Sequence, residues 1–238
     1  RDIVNARESF TPDRIAAWPD RIADGAMVPS FLVGFPRSGT TLTEQVLAAH
    51  PRLVATDERE LVREVIRKVP DIIGRPFEYP RDIDAIGDEH LPALRAAYSD
   101  AVRAWFGGDP GERMLLDKLP LNLVHLGFIR RIFPEAKILI ALRDPRDVCL
   151  SAYFQNFHLN TAMIQFLDIA RCARAYHEAM GLLLHFEEIL GLQTLRFRYE
   201  DVVGDLKGEA SRILAFLGLD WTDEITAFAE KSAKRAIS

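Results

Sequence analysis

The chain has 238 residues, 48% of them hydrophobic and 27% charged, with a formal net charge of −5. That length and apolar content supply one full-sized α/β domain with ample core and require no second, and the negative balance gives no polybasic field, which argues against nucleic acid as a partner. No apolar run approaches the ~20 residues that span a bilayer, and none near Arg1 has the form of a signal peptide, so the chain reads as soluble and cytoplasmic, without a membrane span.

Residues 1–27 contain Thr11-Pro12-Asp13-Arg14, a helix start with proline in its first turn, followed by an amphipathic segment to about Ala23. This reads as a lead-in helix and linker from an upstream module, ahead of a domain spanning 28–238. Val28 and Phe31 to Val33 form an apolar run of strand type, Gly34 to Gly39 supply a tight turn, and Leu42, Val46 and Leu47 recur at helical spacing. Leu53-Val54-Ala55 reads as a second strand. Thr56-Asp57-Glu58-Arg59-Glu60 then has the form of a helix start, with Thr56 as cap and acidic residues in the first turn, running through Val69. Residues 70–87, rich in Pro, Gly, Asp and Arg, read as an irregular surface excursion.

A helix over Glu89–Phe106 carries Leu94, Ala97, Tyr98, Ala101 and Trp105 on one stripe, and Gly107-Gly108-Asp109-Pro110-Gly111 ends it. Met114-Leu115-Leu116-Asp117 reads as a buried strand delivering Lys118 at its C-terminal end, with a crossover helix over Asn122–Phe133. The strand Lys137–Leu142 ends in Arg143-Asp144-Pro145-Arg146-Asp147, before a helix carrying Ser151. A helical tract follows from about Thr161 to Leu190, then a last strand, Thr194–Tyr199, then helix from Asp201 onward except at Gly218-Leu219-Asp220. Cys149 and Cys172 form no disulfide framework or metal-ligand spacing and read as buried thiols. There is no internal repeat. The chain begins at Arg1 and stops at Ser238, which reads as part of a longer protein.

Strands alternating with helices predict an α/β fold, a P-loop-like three-layer arrangement with a central parallel sheet flanked by helices. In such sheets ligands collect beyond the C-terminal ends of the strands. Arg37, Glu58, Lys118, Arg143 and Tyr199 all fall there, so one pocket can gather them. The turn after the first strand opens a helix whose free N–H groups and positive dipole end suit an oxyanion. Its spacing, Gly34-x4-Gly39-Thr40-Thr41, almost matches the P-loop, but threonine stands where that loop has lysine. The point charge that reaches the outer phosphates of a nucleoside triphosphate is therefore missing, while Arg37 offers a planar donor fork for an oxyanion.

Pro36-Arg37-Ser38-Gly39-Thr40-Thr41 resembles the 5′-phosphosulfate loop of the sulfotransferases, which move a sulfuryl group from 3′-phosphoadenosine 5′-phosphosulfate (PAPS) to a hydroxyl or amine. The form is that of tyrosylprotein sulfotransferases and of bacterial sulfotransferases fused to tetratricopeptide (TPR) repeats. Arg143 with Ser151, eight residues later, resembles the family's 3′-phosphate motif; a strand-end guanidinium and a hydroxyl two helical turns along can meet one phosphate. Arg198-Tyr199-Glu200-Asp201 is similar to a family segment whose tyrosine lies near the nucleotide, although the residues alone suit a structural tyrosine equally. Asp117-Lys118-Leu119-Pro120 sits where the tyrosylprotein enzymes have Asn-Lys-Asp-Pro, whose lysine faces the oxygen bridging phosphate and sulfate. The resemblance covers about Val28 to Ser238 and implies a helical repeat region upstream and a nucleotide-closing loop beyond Ser238.

The resemblance further implies PAPS as donor, its bisphosphate product (PAP), no metal, and a cofactor set of Arg37, Ser38, Gly39, Thr40, Thr41, Arg143, Ser151 and Tyr199. Arg37 and the loop amides would hold the sulfonate, Lys118 the leaving phosphate, and Glu58, 21 positions after Arg37, would be the base. Asp57 and Glu60 rival it, as do His50 and His125, since many cytosolic sulfotransferases use histidine. The alternative is an ATP-dependent small-molecule or nucleotide kinase in which Asp144 holds magnesium; a nucleotide-sensing module is a third reading. Acceptor class, whether peptide, carbohydrate, lipid or phenol, and oligomeric state carry no signature, because acceptor pockets fall to loops such as 70–87 and 152–165.

Overall fold

The computed structural model describes residues 2–155 and 166–227. Two short helices, α1 (Asp2–Ser9) and α2 (Pro12–Ala16), precede β1 (Ser30–Gly34), α3 (Thr40–Ala48), β2 (Leu53–Ala55), α4 (Leu61–Ile73) and α5 (Leu91–Phe106). Then come β3 (Met114–Lys118), α6 (Leu126–Ile132), β4 (Lys137–Leu142), α7 (Pro145–Phe154), α8 (Ile169–Ile189), β5 (Gln193–Arg198), α9 (Tyr199–Gly204) and α10 (Leu206–Leu217). The five strands are parallel, in the order β2-β3-β1-β4-β5.

Side-chain alternation along the strands builds the three layers. Phe31 and Val33 of β1, Leu115 of β3 and Ile138 and Ile140 of β4 pack on one face against α4, α5, α6 and α8. Leu32, Leu116, Leu139, Ala141 and Phe197 point the other way, onto α3 and α10. Being covered twice, β1 is buried at every position, which is why it reads as a continuous apolar run. Gly34 lies opposite Ala141, and a Cβ there would fall 2.7 Å from the Ala141 carbonyl oxygen, so the glycine lets β1 and β4 close up where the strand ends. A central β1 with β3 and β4 at its sides makes the C-terminal edge of these three strands the place for a ligand.

Several boundaries differ from the sequence reading. The lead-in helix stops at Ala16 rather than Ala23, because Pro19 disfavours helix at Trp18. The segment after it is held by arginines of the core: Arg130 donates to the Pro19 carbonyl (2.7 Å), Arg95 pairs with Asp24 (3.0 Å), and the Arg131 guanidinium lies 5.5 Å from the Trp18 ring. The helix expected from Thr56 starts at Leu61. Asp57 and Glu58 adopt φ of 52° and 62°, and the Thr56 hydroxyl accepts the Lys118 N–H (3.1 Å) instead of capping. This helix takes in Pro70 and ends at Gly74, so the irregular stretch begins later and contains a 3-10 turn at Ile83–Ala85. Trp105 is 43% exposed beneath the Arg59 guanidinium, and the buried stripe of α5 runs instead through Leu91, Leu94, Tyr98 and Val102.

The crossover after β3 is a 3-10 helix (Pro120–His125) leading into α6. Strand β5 ends at Arg198, which puts Tyr199 at the start of α9. Helix α8 starts at Ile169, where the Asp168 carboxylate caps it by accepting the Arg171 N–H (2.8 Å); the expected helical residues 161–165 lie outside the described residues, as does the tail after 227. Among the described residues no helix is long and apolar enough to cross a membrane.

Phe31 is wholly buried, with its ring 6.5 Å from Tyr98 and 6.3 Å from Phe133. Phe31→Ala is expected to lower the unfolding free energy by about 3–5 kcal/mol, measured by urea denaturation.

Candidate active site

The loop after β1 is pinned by its own backbone and by the strands beside it. The Ser38 N–H donates to the Phe35 carbonyl (3.1 Å), Arg37 turns into the left-handed region at φ 74°, and Gly39 follows at φ 90°. A Cβ on Gly39 would lie 2.4 Å from Cδ2 of Tyr199, so only glycine fits against that ring. Gly39 caps α3 without a side-chain hydrogen bond, leaving the donors of the first turn uncapped by any side chain.

Two side-chain clusters surround this loop. In the first, Arg37 donates from Nε to Ser151 Oγ of α7 (3.0 Å), and its carbonyl accepts Nη1 of Arg143 from the end of β4 (3.2 Å). The Arg143 guanidinium stacks 4.4 Å from the centre of the Tyr199 ring, and its Nε is buried without a partner. The Asp144 N–H donates to Glu200 Oε1 (2.8 Å), tying β4 to α9. The Asp144 carboxylate caps α7 and pairs with Arg146 (2.7 Å), whose guanidinium holds it well below the usual carboxylate range.

The second cluster surrounds Lys118, which is 1% exposed. Its ammonium lies 2.8 Å from Oε1 of Glu58 and 2.9 Å from Oε2 of Glu44, a buried carboxylate on α3. Glu44 Oε1 accepts the Asp57 N–H (3.1 Å), and the Glu58 N–H donates to the Lys118 carbonyl (2.9 Å). Burial raises the Glu44 pKa, against the opposing hydrogen bond and charge of Lys118. Behind Lys118, the Asp117 carboxylate accepts the Tyr98 hydroxyl (2.7 Å) and Nδ2 of Asn122 (3.2 Å). Burial pushes Asp117 up to about 7 despite these two donors.

A cleft of about 340 Å³ at the C-terminal edge is lined by Arg37, Gly39, Thr40, Thr41, Glu58, Arg143 and Tyr199, with an apolar wall of Pro36 and Leu119 to Leu121. Seven residues singled out from the sequence thus come together. Ser151 joins them through Arg37, Ser38 is buried in the turn, and Lys118 sits behind Glu58 rather than on the cleft wall. The rival bases lie elsewhere. Glu60 pairs with Arg63 (2.9 Å) and Arg67 (3.9 Å), and Asp57 contributes its backbone. His50 is buried, its Nδ1 accepting the Arg52 N–H (3.0 Å) and its Nε2 meeting the Asp220 carbonyl (3.1 Å). His125 stacks near Tyr79 and is pushed down to about 4 by burial and by the Arg63 charge.

The sequence reading missed Glu44 and the Tyr98–Asp117–Asn122 network. The signal for Glu44 was its position four after Thr40 and three before Leu47, which puts it on the inward face of α3. Among the described residues, no group of three or more His, Cys, Asp and Glu side chains converges as a metal site would require.

A family model described as "Sulfotransferase family" matches residues 29–223. The chain is 28% identical over 212 residues to protein-tyrosine sulfotransferase 2 of Gallus gallus, covering 86% of this chain and 54% of that protein. It is 25% identical over 228 residues to nodulation protein NoeE of Sinorhizobium fredii, covering 85% of this chain and 52% of that one. An uncharacterized protein of Aquifex aeolicus is 27% identical over 226 residues, which are 93% of this chain but 29% of the relative. The chain therefore spans about half, or less, of the length of these relatives. Among solved structures, the sulfotransferase domain of the Synechococcus PCC 7002 olefin synthase aligns with a TM-score of 0.58 at 20% identity, over 87% of this chain and 79% of that one. Sulfotransferase STF9 from Mycobacterium avium aligns with a TM-score of 0.58 at 17% identity, over 98% and 75%. At these identities the structural likeness concerns the fold.

A carboxyl at about 7 in the folded state and in the ordinary range when unfolded keeps, between about pH 4 and 7, a proton that the unfolded chain has lost. The contribution of Asp117 is full below pH ~4 and is lost as pH rises through ~7. Relative to Asp117→Asn, the unfolding free energy of the native chain should fall by up to about 1.4 kcal/mol per pH unit across that window. Urea titrations at several pH values check this; a constant difference would show that Asp117 titrates normally.

Proposed function

Because the chain belongs to the sulfotransferase family, we propose that it moves a sulfuryl group from PAPS to an acceptor hydroxyl or amine by in-line transfer. The observation that supports this reading best is the meeting of two arginines, an uncapped helix start and a carboxylate around one cleft. The residues fit the donor: Arg37 is exposed, α3 opens with uncapped N–H groups, and the buried Nε of Arg143 lacks a partner. Arg37, Ser38, Gly39, Thr40 and Thr41 would hold the 5′-phosphosulfate, Arg143 and Ser151 the 3′-phosphate, and Tyr199 the nucleotide beside them. PAPS, when bound, supplies the sulfuryl group and a phosphate leaving group.

Such a transfer needs positioning, cations and a base rather than covalent help from the protein. Glu58, with half of its side chain exposed on the cleft wall, is the base that takes the acceptor proton. Lys118 steers that carboxylate from behind. As Glu58 gains the proton its hold on the ammonium weakens, and Lys118 would then offer a donor to the leaving phosphate. Residues 28–238 carry the transferase chemistry in this reading, with 1–27 as the lead-in from an upstream repeat region, packed onto the same core through Ala6, Phe10 and Ile15. A kinase would need a lysine at position 40 and a free carboxylate at 144; threonine stands at the first, and the Arg146 pair occupies the second.

Calorimetric titration tests the donor class: adenosine 3′,5′-bisphosphate is expected to bind in the micromolar range without metal, and a preference for ATP with magnesium would overturn the reading. Arg37→Ala and Arg143→Ala should each weaken that binding at least tenfold, about 1.4 kcal/mol. Glu58→Gln should leave it within about twofold while lowering sulfuryl transfer to a tyrosyl peptide by ~10²-fold or more; normal turnover would remove Glu58 as base.

A further inference from the structure

Glu44 is a buried carboxylate that the reaction set out above does not use. It is 5% exposed, lies on α3 outside the cleft lining, and divides its two oxygens between the Lys118 ammonium (2.9 Å) and the Asp57 N–H (3.1 Å). The second contact reaches the turn that carries Glu58, where two consecutive non-glycine residues hold left-handed backbone that surrounding contacts must maintain. The first contact concerns charge. The groups facing Lys118 are Glu44 from α3 and Glu58 from the turn, with Asp57 beside Glu44.

Were Glu58 the sole partner of the ammonium, each proton it accepted would leave a cation of 1% exposure without a counter-charge. With Glu44 present, the ammonium keeps a carboxylate throughout, and the Glu58 charge is in excess. Resting on the sulfotransferase reading, we propose that Glu44 is a positioning residue for the transfer reaction: it fixes the Asp57–Glu58 turn through the backbone and stays as counter-ion to Lys118 while Glu58 takes up the acceptor proton.

Glu44→Gln preserves shape and an acceptor for the Asp57 N–H but removes the charge. Expected are unchanged affinity for adenosine 3′,5′-bisphosphate and a kcat at least tenfold lower, read as hydrolysis of PAPS to bisphosphate and sulfate and as transfer to a tyrosyl peptide. The acid limb of the kcat–pH profile should move to lower pH, because one of the two carboxylates around the Lys118 ammonium has lost its charge. In a Glu58→Gln background the second substitution should add nothing. An unchanged kcat, or effects that multiply, would overturn the proposal. Should the native chain neither bind the bisphosphate nor turn over PAPS, the sulfotransferase reading falls, and amide exchange in Glu44→Leu decides for the turn. At least tenfold faster exchange at Asp57 would sustain the hold of Glu44 on the turn apart from that reaction, and unchanged exchange would remove it.

Discussion

An ammonium with 1% exposure must be matched by charge where it sits, and much of the C-terminal edge of this sheet is arranged to meet that demand. Lys118 ends β3, beside β1, under the first turns of α3. Matching it draws in Glu44 from α3 and Glu58 from the turn after β2, so three elements are fixed against one another by a single cation. The backbone repeats the connection: Lys118 donates to the Thr56 hydroxyl and accepts from the Glu58 N–H. The left-handed backbone of Asp57 and Glu58 is thereby held on both sides, and the Glu58 side chain lies half-exposed on the cleft wall.

The opposite side of the loop is organised by close contact instead of charge matching. Gly39 lies flat against Tyr199, Tyr199 against Arg143, and Arg143 is hydrogen-bonded to the Arg37 carbonyl. Each member limits the next, and the chain of contacts crosses from β1 to β4 to α9. The Arg143 guanidinium is planar by resonance, and its donor fork suits bidentate oxyanion binding. The two halves meet at the start of α3, whose N-terminal turn faces the cleft and whose second turn carries Glu44 inward.

Much of this was legible in the sequence, and the parts that were not have a common cause. Parallel strands deliver their final residues to one edge, so Arg37, Lys118, Arg143 and Tyr199 could be placed from strand periodicity without knowing the strand order. The start of α4 was misplaced because Thr-Asp-Glu-x-Glu has the composition of a capped helix; what decided the matter was competition for the Thr56 hydroxyl by a backbone N–H 62 positions away. Glu44 was overlooked for a similar reason. A glutamate two residues before a helical apolar pair reads as a solvent residue unless the cation that must accompany its burial is already known, and that cation belongs to another strand. Tyr98 was read as part of an apolar stripe, although its hydroxyl meets Asp117 at 2.7 Å. Local propensity locates elements, whereas partners for buried polar groups are settled by tertiary structure.

The two halves give the cleft opposite polarity on its two sides, and this bears on the proposed reaction. A multiply charged nucleotide held at Arg37 and Arg143 would repel a carboxylate nearby. Lys118 offsets that repulsion from behind the carboxylate, 2.8 Å from its Oε1. The ammonium is shared between Glu44 and Glu58. The cation lies 2.8 Å from Glu58, and Glu44, 2.9 Å away, stays with it once Glu58 has taken the acceptor proton in the proposed reaction. The proposed reaction therefore uses three groups rather than two, and the chain supplies them from α3, the β2–α4 turn and β3.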